Sequence, residues 1–345
     1  METYEDTKYF CNAETLAHTI KEYGVAIIPS VLDDVECDSM VSGMWDYFQH
    51  ITQNWENPID RNDKTTWSGM YEMYPKHSML FQNFAVGQSQ VCWDIRQNEK
   101  IVEIFAKFWD CEMDNLLTSF DGFSLNIPPE ETNRGWYRGN TWYHSDQSFT
   151  RNDLECIQSW VTGLDVEEGD ATLAFYEKSN QFHKDFAKTF NITDKGDWYK
   201  LSPEESQYFL NKGCEPKKIK CPKGSLVFWD SRTIHCGAEA LRSRENPKLR
   251  AVIYTCYTNR NRATPAMIRK KQKAFNEIRS TSHWPHKPKL FPKNPRTYGG
   301  PMPEITPIEN PIDIIQQLNG ITHKWIHKEN INKEYGFLAQ ELNDV

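Results

Sequence analysis

From residue 116 onward the sequence is written in short apolar runs rich in β-branched and aromatic residues, each broken by Gly, Asn, Asp or Pro. This pattern constrains the fold more than any other feature, because runs of this length and composition are antiparallel strands whose close spacing suits a sandwich or barrel rather than βαβ units. We place strands near residues 119–126, 142–146, 156–165, 171–176, 224–229 and 249–257. The part before them is different. Leu16 and Ile20 lie four apart in a helical stretch over 12–23 that stops at Gly24, and Val25 to Ile28 then reads as a buried strand closed by Pro29. Asp33 and Asp34 can cap a helix whose Met40, Met44, Tyr47, Phe48 and Ile51 recur at helical spacing. A second helical stretch over 91–110 carries Ile101, Ile104, Phe105 and Phe108. Helices before a run of strands predict an α+β, mainly β chain in one domain, with a helical part over 1–115, a β core over 116–258 and an extension over 259–345.

Composition enters by exclusion. A formal charge of −8 on 345 residues leaves no global field for nucleic acid or an anionic membrane, so neither is an expected partner. Nine cysteines without a CxxC pair predict neither a disulfide framework nor a zinc knuckle. The acidic start lacks the basic and apolar stretches of a signal peptide, and no apolar run approaches the roughly 20 residues of a spanning helix. The expected location is the cytoplasm, and the oligomeric state is left open. Between Arg260 and Arg296 eleven Lys and Arg stand against the single acid Glu277. The tail beyond is dense in proline and is expected to run as extended chain, with a short helix over 312–325.

Three separated elements carry chemistry. Tyr143-His144-Ser145-Asp146 sets an imidazole and a carboxylate two apart in strand, hence on one face. Ninety-one residues after His144, a Gly-initiated apolar strand (224–229) and a polar turn lead to His235. Two imidazoles and a carboxylate on one face of Fe(II) leave three coordination positions open, as in non-haem iron oxygenases. Arg250, at the head of Leu249-Arg-Ala-Val-Ile-Tyr-Thr-Cys-Tyr257, can fork onto the distal carboxylate that 2-oxoglutarate presents once its keto-acid end chelates iron.

These residues resemble the phytanoyl-CoA dioxygenase-like (PhyH) branch of the Fe(II)/2-oxoglutarate-dependent oxygenases. The resemblance opens at Glu22-Tyr-Gly-Val-Ala-Ile-Ile-Pro and passes through Tyr-His-Ser-Asp (143–146), where the family often has Trp-His-Gln-Asp. It continues through Gln158-Ser-Trp-Val-Thr-Gly-Leu-Asp, Glu168-Gly-Asp-Ala-Thr-Leu and Lys178-Ser-Asn-Gln-Phe-His183, and closes on Gly224-Ser-Leu-Val-Phe-Trp-Asp, His235 and Arg250. It covers roughly residues 22–258. It implies a double-stranded β-helix, or jelly roll, buttressed by the N-terminal helices. It also implies that His144, Asp146 and His235 hold Fe(II), that 2-oxoglutarate and O₂ are co-substrates, and that Arg250, Trp160 and Asn126 bind 2-oxoglutarate. His183 falls at the family's Gly-Ser-His position and reads as structural. The gap from His235 to Arg250 is longer than the family's, so 237–248 is expected as an inserted loop. If the register differs, Arg242 or Arg244 becomes the anchor.

The implied reaction is oxidation of a C–H bond by hydroxylation, desaturation or cyclisation, with release of succinate and CO₂. Arg134, Arg138 and Tyr143, in the arginine and aromatic loop leading into His144, are the candidate substrate contacts, with Arg260 and Arg262 beyond the Arg250 strand. Arginines at the mouth predict a small anionic substrate, for example one derived from an amino acid, in specialised metabolism. The alternatives are an acyl-CoA, a macromolecule engaged by the basic segment, or a jelly-roll binding protein without catalysis.

Overall fold

The computed structural model describes residues 3–73, 80–139, 142–242 and 244–292; the expected Pro-rich tail and the helix over 312–325 lie outside them. Among the described residues two sheets form the centre. Strands β1 (Thr3–Glu5), β2 (Val25–Ile28), β3 (Leu116–Thr118), β4 (Phe123–Asn126), β5 (His144–Ser145), β6 (Ile157–Thr162) and β7 (Thr172–Tyr176) come first in the chain. They are followed by β8 (Tyr199–Lys200), β9 (Pro216–Ile219), β10 (Leu226–Asp230), β11 (His235–Ala238), β12 (Arg250–Thr255) and β13 (Tyr257–Asn259). One sheet runs β1-β9-β7-β11-β5-β8, the other β2-β10-β6-β12-β4, and β13 pairs with β3 apart from both. The fold is a double-stranded β-helix.

Alternation along the strands shows why so many of their residues are apolar. Val25, Ile27, Trp160, Val227, Trp229 and Val252 point between the sheets and meet Leu173, Phe175 and Ile219 from the other side. Their neighbours Ala26, Ile28, Val161, Phe228, Ala251 and Ile253 point outward, onto helical residues such as Met40, Met44, Phe48, Ile101 and Phe105. On the far side Tyr143, Ala174, Tyr176 and Cys236 pack against Phe186 and Phe209. Both faces of both sheets are covered, so the strands lose the half-polar pattern of a solvated sheet.

The helix Asp34–Thr52 starts with a capping box: Glu36 N–H donates to Asp33 Oδ1 at 2.9 Å and Asp33 N–H to Glu36 Oε2 at 2.8 Å. The single stretch expected over 91–110 is two helices, Gln90–Arg96 and Glu99–Trp109, because Asn98 caps the second by accepting Lys100 N–H. Gly224 opens β10 at φ +76°, and a Cβ there would sit 2.2 Å from Leu32 O, so only glycine fits.

Four cations of the basic segment are tied to the rest of the molecule, while Arg269, Lys270, Lys273 and Lys289 are exposed. Arg262 donates to the carbonyls of Leu154 and Glu155 and lies over Trp109. Lys271 in the helix Pro265–Asn276 is buried over the Phe120 ring and bonds Thr118 O. Arg279 holds Phe291 O at 2.9 Å, and Lys287 pairs with Glu155 at 2.7 Å. Residues after that helix return across the open end of the β-helix. Phe120 and Thr281 exchange two hydrogen bonds, Thr281 N to Phe120 O at 2.8 Å and Phe120 N to Thr281 Oγ1 at 3.0 Å, while Gly87 N–H donates to Ser280 Oγ at 2.9 Å.

Candidate functional site

His144 and His235 are direct cross-strand partners in the β5·β11 pair, so the two imidazoles issue from one place on one sheet. Asp146 follows His144 by two and therefore shares its face; the N–H groups of Asp146 and Gln147 both donate to Ser231 O at 3.0 Å, which fixes the turn. The ring nitrogens and a carboxylate oxygen of the three lie within 4.8 Å of one another, and all three residues are buried. Among the described residues this is the one group of three or more such side chains placed to share an ion.

The surroundings orient these ligands. His144 Nδ1 lies 3.1 Å from Trp142 O and His235 Nδ1 2.9 Å from Thr233 O. An Nδ1–H directed to a carbonyl leaves each Nε2 lone pair to face Asp146, at 3.5 Å from Oδ1 and 3.3 Å from Oδ2. Gln158 Nε2 donates to Asp146 Oδ2 at 2.8 Å and to Ser231 Oγ at 3.2 Å. Trp142 stacks on His144 with centroids 4.7 Å apart, and Trp229 Nε1–H points at His235 Nε2 from 3.2 Å. Burial, then the charge of His235, pushes the His144 pKa down, which favours the neutral ligand form. Burial acts to raise Asp146, but His144, His283 and His235 outweigh it and hold the carboxyl well below the usual range. Two neutral imidazoles and one carboxylate suit Fe(II), and the geometry is that of a facial triad.

The triad opens into a cavity of about 600 Å³. Arg250 and Trp160 line the same cavity. Arg250 is 6% exposed, yet its Nε and Nη1 have no hydrogen-bond partner, and Nη2 reaches only Tyr254 OH at 3.4 Å. Trp160 Nε1 is equally buried and unpartnered, with its ring 5.6 Å from the guanidinium. Buried donors rarely go unpaired, and these converge where an anion would satisfy them. The donor set fits the distal carboxylate of 2-oxoglutarate. Asn126 is the cross-strand partner of Arg250, its Oδ1 buried without a partner, but it does not line the cavity. The two rival anchors are committed elsewhere: Arg242 lies over Trp136, and Arg244 pairs with Glu130 and Asp170. Of the stretch expected as an inserted loop, Gly237 and Ala238 belong to β11.

The expected substrate contacts are not brought to the cavity. Arg134 lies over Tyr71 at 4.7 Å, and Arg138 sits in the field of Glu239. Tyr143, alternating with His144, points to the opposite face and stacks on Tyr176. His183 is buried against Phe149, with Nε2 facing Gln147 O at 3.3 Å, and has a structural role. Sequence reasoning missed Gln158 and Tyr254, although strand periodicity places them on the same face as Trp160 and Arg250. It also missed the residues that complete the outer wall: Asp121, Trp198, His283 and Trp284.

Ava biosynthesis cluster protein O of Aspergillus versicolor is 24% identical over 244 residues, spanning 68% of this chain and 75% of that protein. The crystal structure of GlcNAc Inducible Gene 2 (DUF1479) from Candida albicans aligns over 80% of this chain and 70% of its own, with a TM-score of 0.53 at 12% identity. A hypothetical protein, JW0805, from Escherichia coli aligns over 80% of this chain and 76% of its own, with a TM-score of 0.51 at 14% identity. Both structural likenesses are likenesses of fold. A family profile described as chaperone of endosialidase matches residues 303–345, outside the described part. No helix among the described residues is long and apolar enough to cross a membrane.

Proposed function

We propose that this protein is an Fe(II)- and 2-oxoglutarate-dependent oxygenase that oxidises a C–H bond of a small molecule. The observation that carries the reading is one cavity holding a buried two-histidine, one-aspartate face and, beside it, an arginine whose Nε–H and Nη1–H groups have no partner. When bound, the iron with 2-oxoglutarate and O₂ supplies the oxidant, and succinate and CO₂ leave.

The chain's own residues position, shield and hold charge. His144, Asp146 and His235 would hold the metal, with Trp142 O and Thr233 O fixing the tautomers and Gln158 fixing the carboxylate. Arg250, with Trp160 Nε1–H and Tyr254 OH, would bind the distal carboxylate. Trp142 and Trp229, packed on the two imidazoles, exclude water from the ligands. A relative named for a biosynthesis cluster supports a biosynthetic small molecule as the substrate. The anionic substrate expected from Arg134 and Arg138 loses its basis, since neither lines the cavity.

The test is an anaerobic titration of metal-free protein with Fe(II) and 2-oxoglutarate, read as the visible metal-to-ligand charge-transfer band. The band is expected in wild type and absent in His144→Ala. A wild type that gives no band at any concentration overturns the proposal.

A further inference from the structure

We propose that the substrate half of the cavity takes an organic cation, a small molecule whose protonated amine or guanidinium is held by the Asp121 carboxylate beside an indole face. The naming of this ligand as substrate rests on the oxygenase reading; the binding itself does not.

Asp121 lines the cavity at 3% exposure and makes no ion pair with a lysine or arginine among the described residues. Its Oδ1 accepts Gly122 N–H at 2.9 Å. The cation nearby, Arg96, spends Nη1 on Gly87 O and Nη2 on the backbone oxygen of Asp121, not on the carboxylate. Burial of this carboxylate outweighs the Gly122 N–H, the Arg96 charge and a hydrogen bond from the Gln82 side chain, and with a smaller contribution from Asp146 lifts its pKa to about 6. A ligand that brings a positive charge into direct contact with it offsets part of that cost.

Apart from Lys289, the other charges that line the cavity are matched. Iron(II) and a 2-oxoglutarate dianion would be neutralised by Asp146 and Arg250 together. Lys287 pairs with Glu155 and Asp197, and Arg151 pairs with the same two acids, which closes a neutral group of four. Lys289 is exposed at the rim. Inside, Asp121 has Arg96 nearby but makes no direct ion pair with a lysine or arginine among the described residues. Trp142, Trp198 and Trp284 line the same space; Trp142 is stacked on His144 and Trp284 carries Lys287, so of the three the Trp198 indole is the one placed to add cation–π attraction to a charge pair. His283, whose Nε2 is buried without a partner, offers a further polar contact to the ligand.

Two probes with one ring and opposite charge, tryptamine and indole-3-propionate, test this by calorimetry on the metal-free protein and on protein loaded with Ni(II) and 2-oxoglutarate. Tryptamine is expected to bind at least about tenfold more tightly than the acid. Asp121→Asn keeps an oxygen for Gly122 N–H but loses the charge; it is expected to weaken tryptamine about tenfold and leave the acid, and the 2-oxoglutarate affinity, unchanged. Equal binding of the two probes, preference for the acid, no saturable binding of the amine, or an Asn variant that binds the amine as wild type does would each overturn the proposal. The comparison of probes on wild type stands whether or not the variant folds. Failure of the oxygenase reading shows separately, as a missing charge-transfer band.

Discussion

Replacing Arg250 by methionine should separate co-substrate binding from stability. The guanidinium is 6% exposed, its Nε and Nη1 are unpartnered, and its one contact through Nη2 is long at 3.4 Å. Two charge-assisted hydrogen bonds to a carboxylate contribute about 1.5–3 kcal/mol each. Trp160 Nε1–H and Tyr254 OH remain to bind the anion, so the lower figure applies and the loss is about 3 kcal/mol. That is a rise of about a hundredfold in the 2-oxoglutarate Kd. The stem of methionine fills most of the vacated space, and the variant no longer buries an uncompensated charge, so its melting temperature should equal or exceed that of wild type. The assay is the anaerobic charge-transfer titration, run in parallel with 2-oxobutyrate, which chelates through the same end but has no distal carboxylate. Wild type and variant should bind 2-oxobutyrate alike. A change below about threefold for 2-oxoglutarate, or an equal loss for both keto acids, would refute the anchoring role.

Other outcomes follow from the same geometry. Gln158→Leu removes the donor to Asp146 Oδ2 and should weaken Fe(II) binding by about 10–100-fold in a metal titration, with the fold kept by circular dichroism. Burial depresses the His183 pKa to about 4, so between pH 6.5 and 4 the unfolded chain binds a proton that the folded chain does not. This residue's contribution is therefore intact at pH 7 and is lost as pH falls below about 6.5, by about 3 kcal/mol at pH 4. Urea unfolding across that range should show a shallower pH dependence for His183→Gln, and an unchanged slope would count against the assignment. Arg134→Ala and Arg138→Ala, singly or together, should leave the charge-transfer titration and the basal succinate release as in wild type, because neither side chain lines the cavity. A loss in either readout would mean that this loop reaches the site during turnover.

The strands that were legible are those whose residues state their burial. Ile157–Thr162, Thr172–Tyr176 and Leu226–Asp230 fall within or beside the expected ranges because each is buried along its whole length and mostly apolar. Pro216–Ile219 and His235–Ala238 carry no such signature; they are strands because β7 supplies a partner on each side. The segment expected as one strand over 249–257 breaks at Cys256, between β12 and β13. The metal ligands were readable because their spacing is local or their strand is distinctive. Arg250, the expected anchor, lines the cavity at the head of an apolar strand, whereas Arg242 and Arg244 do not line it. The outer wall had no such signal. Thr281 is 161 residues from Phe120, and nothing near either residue announces the other.

That wall changes what the extension is for. Read along the chain, residues 260–292 are a basic surface stretch with proline, suited to a solvated arm or a polyanion. In the folded protein Arg262, Lys271, Arg279 and Lys287 bond main-chain carbonyls or pair with acids of this chain, and the aromatic residues between them face inward. Trp284 illustrates the exchange: it packs on Cys156 and Cys256 behind the β core, carries Lys287 over its ring at 3.6 Å and forms part of the cavity wall. These four cations help to fasten the segment across the open end of the β-helix. The β core carries the triad and Arg250, to which the proposed function assigns the metal and the co-substrate. The rest of the cavity wall comes from the fastened segment and from the turn at Asp121. On the proposed function, selectivity would diverge by changes in residues 280–292 while the triad and Arg250 stay as they are.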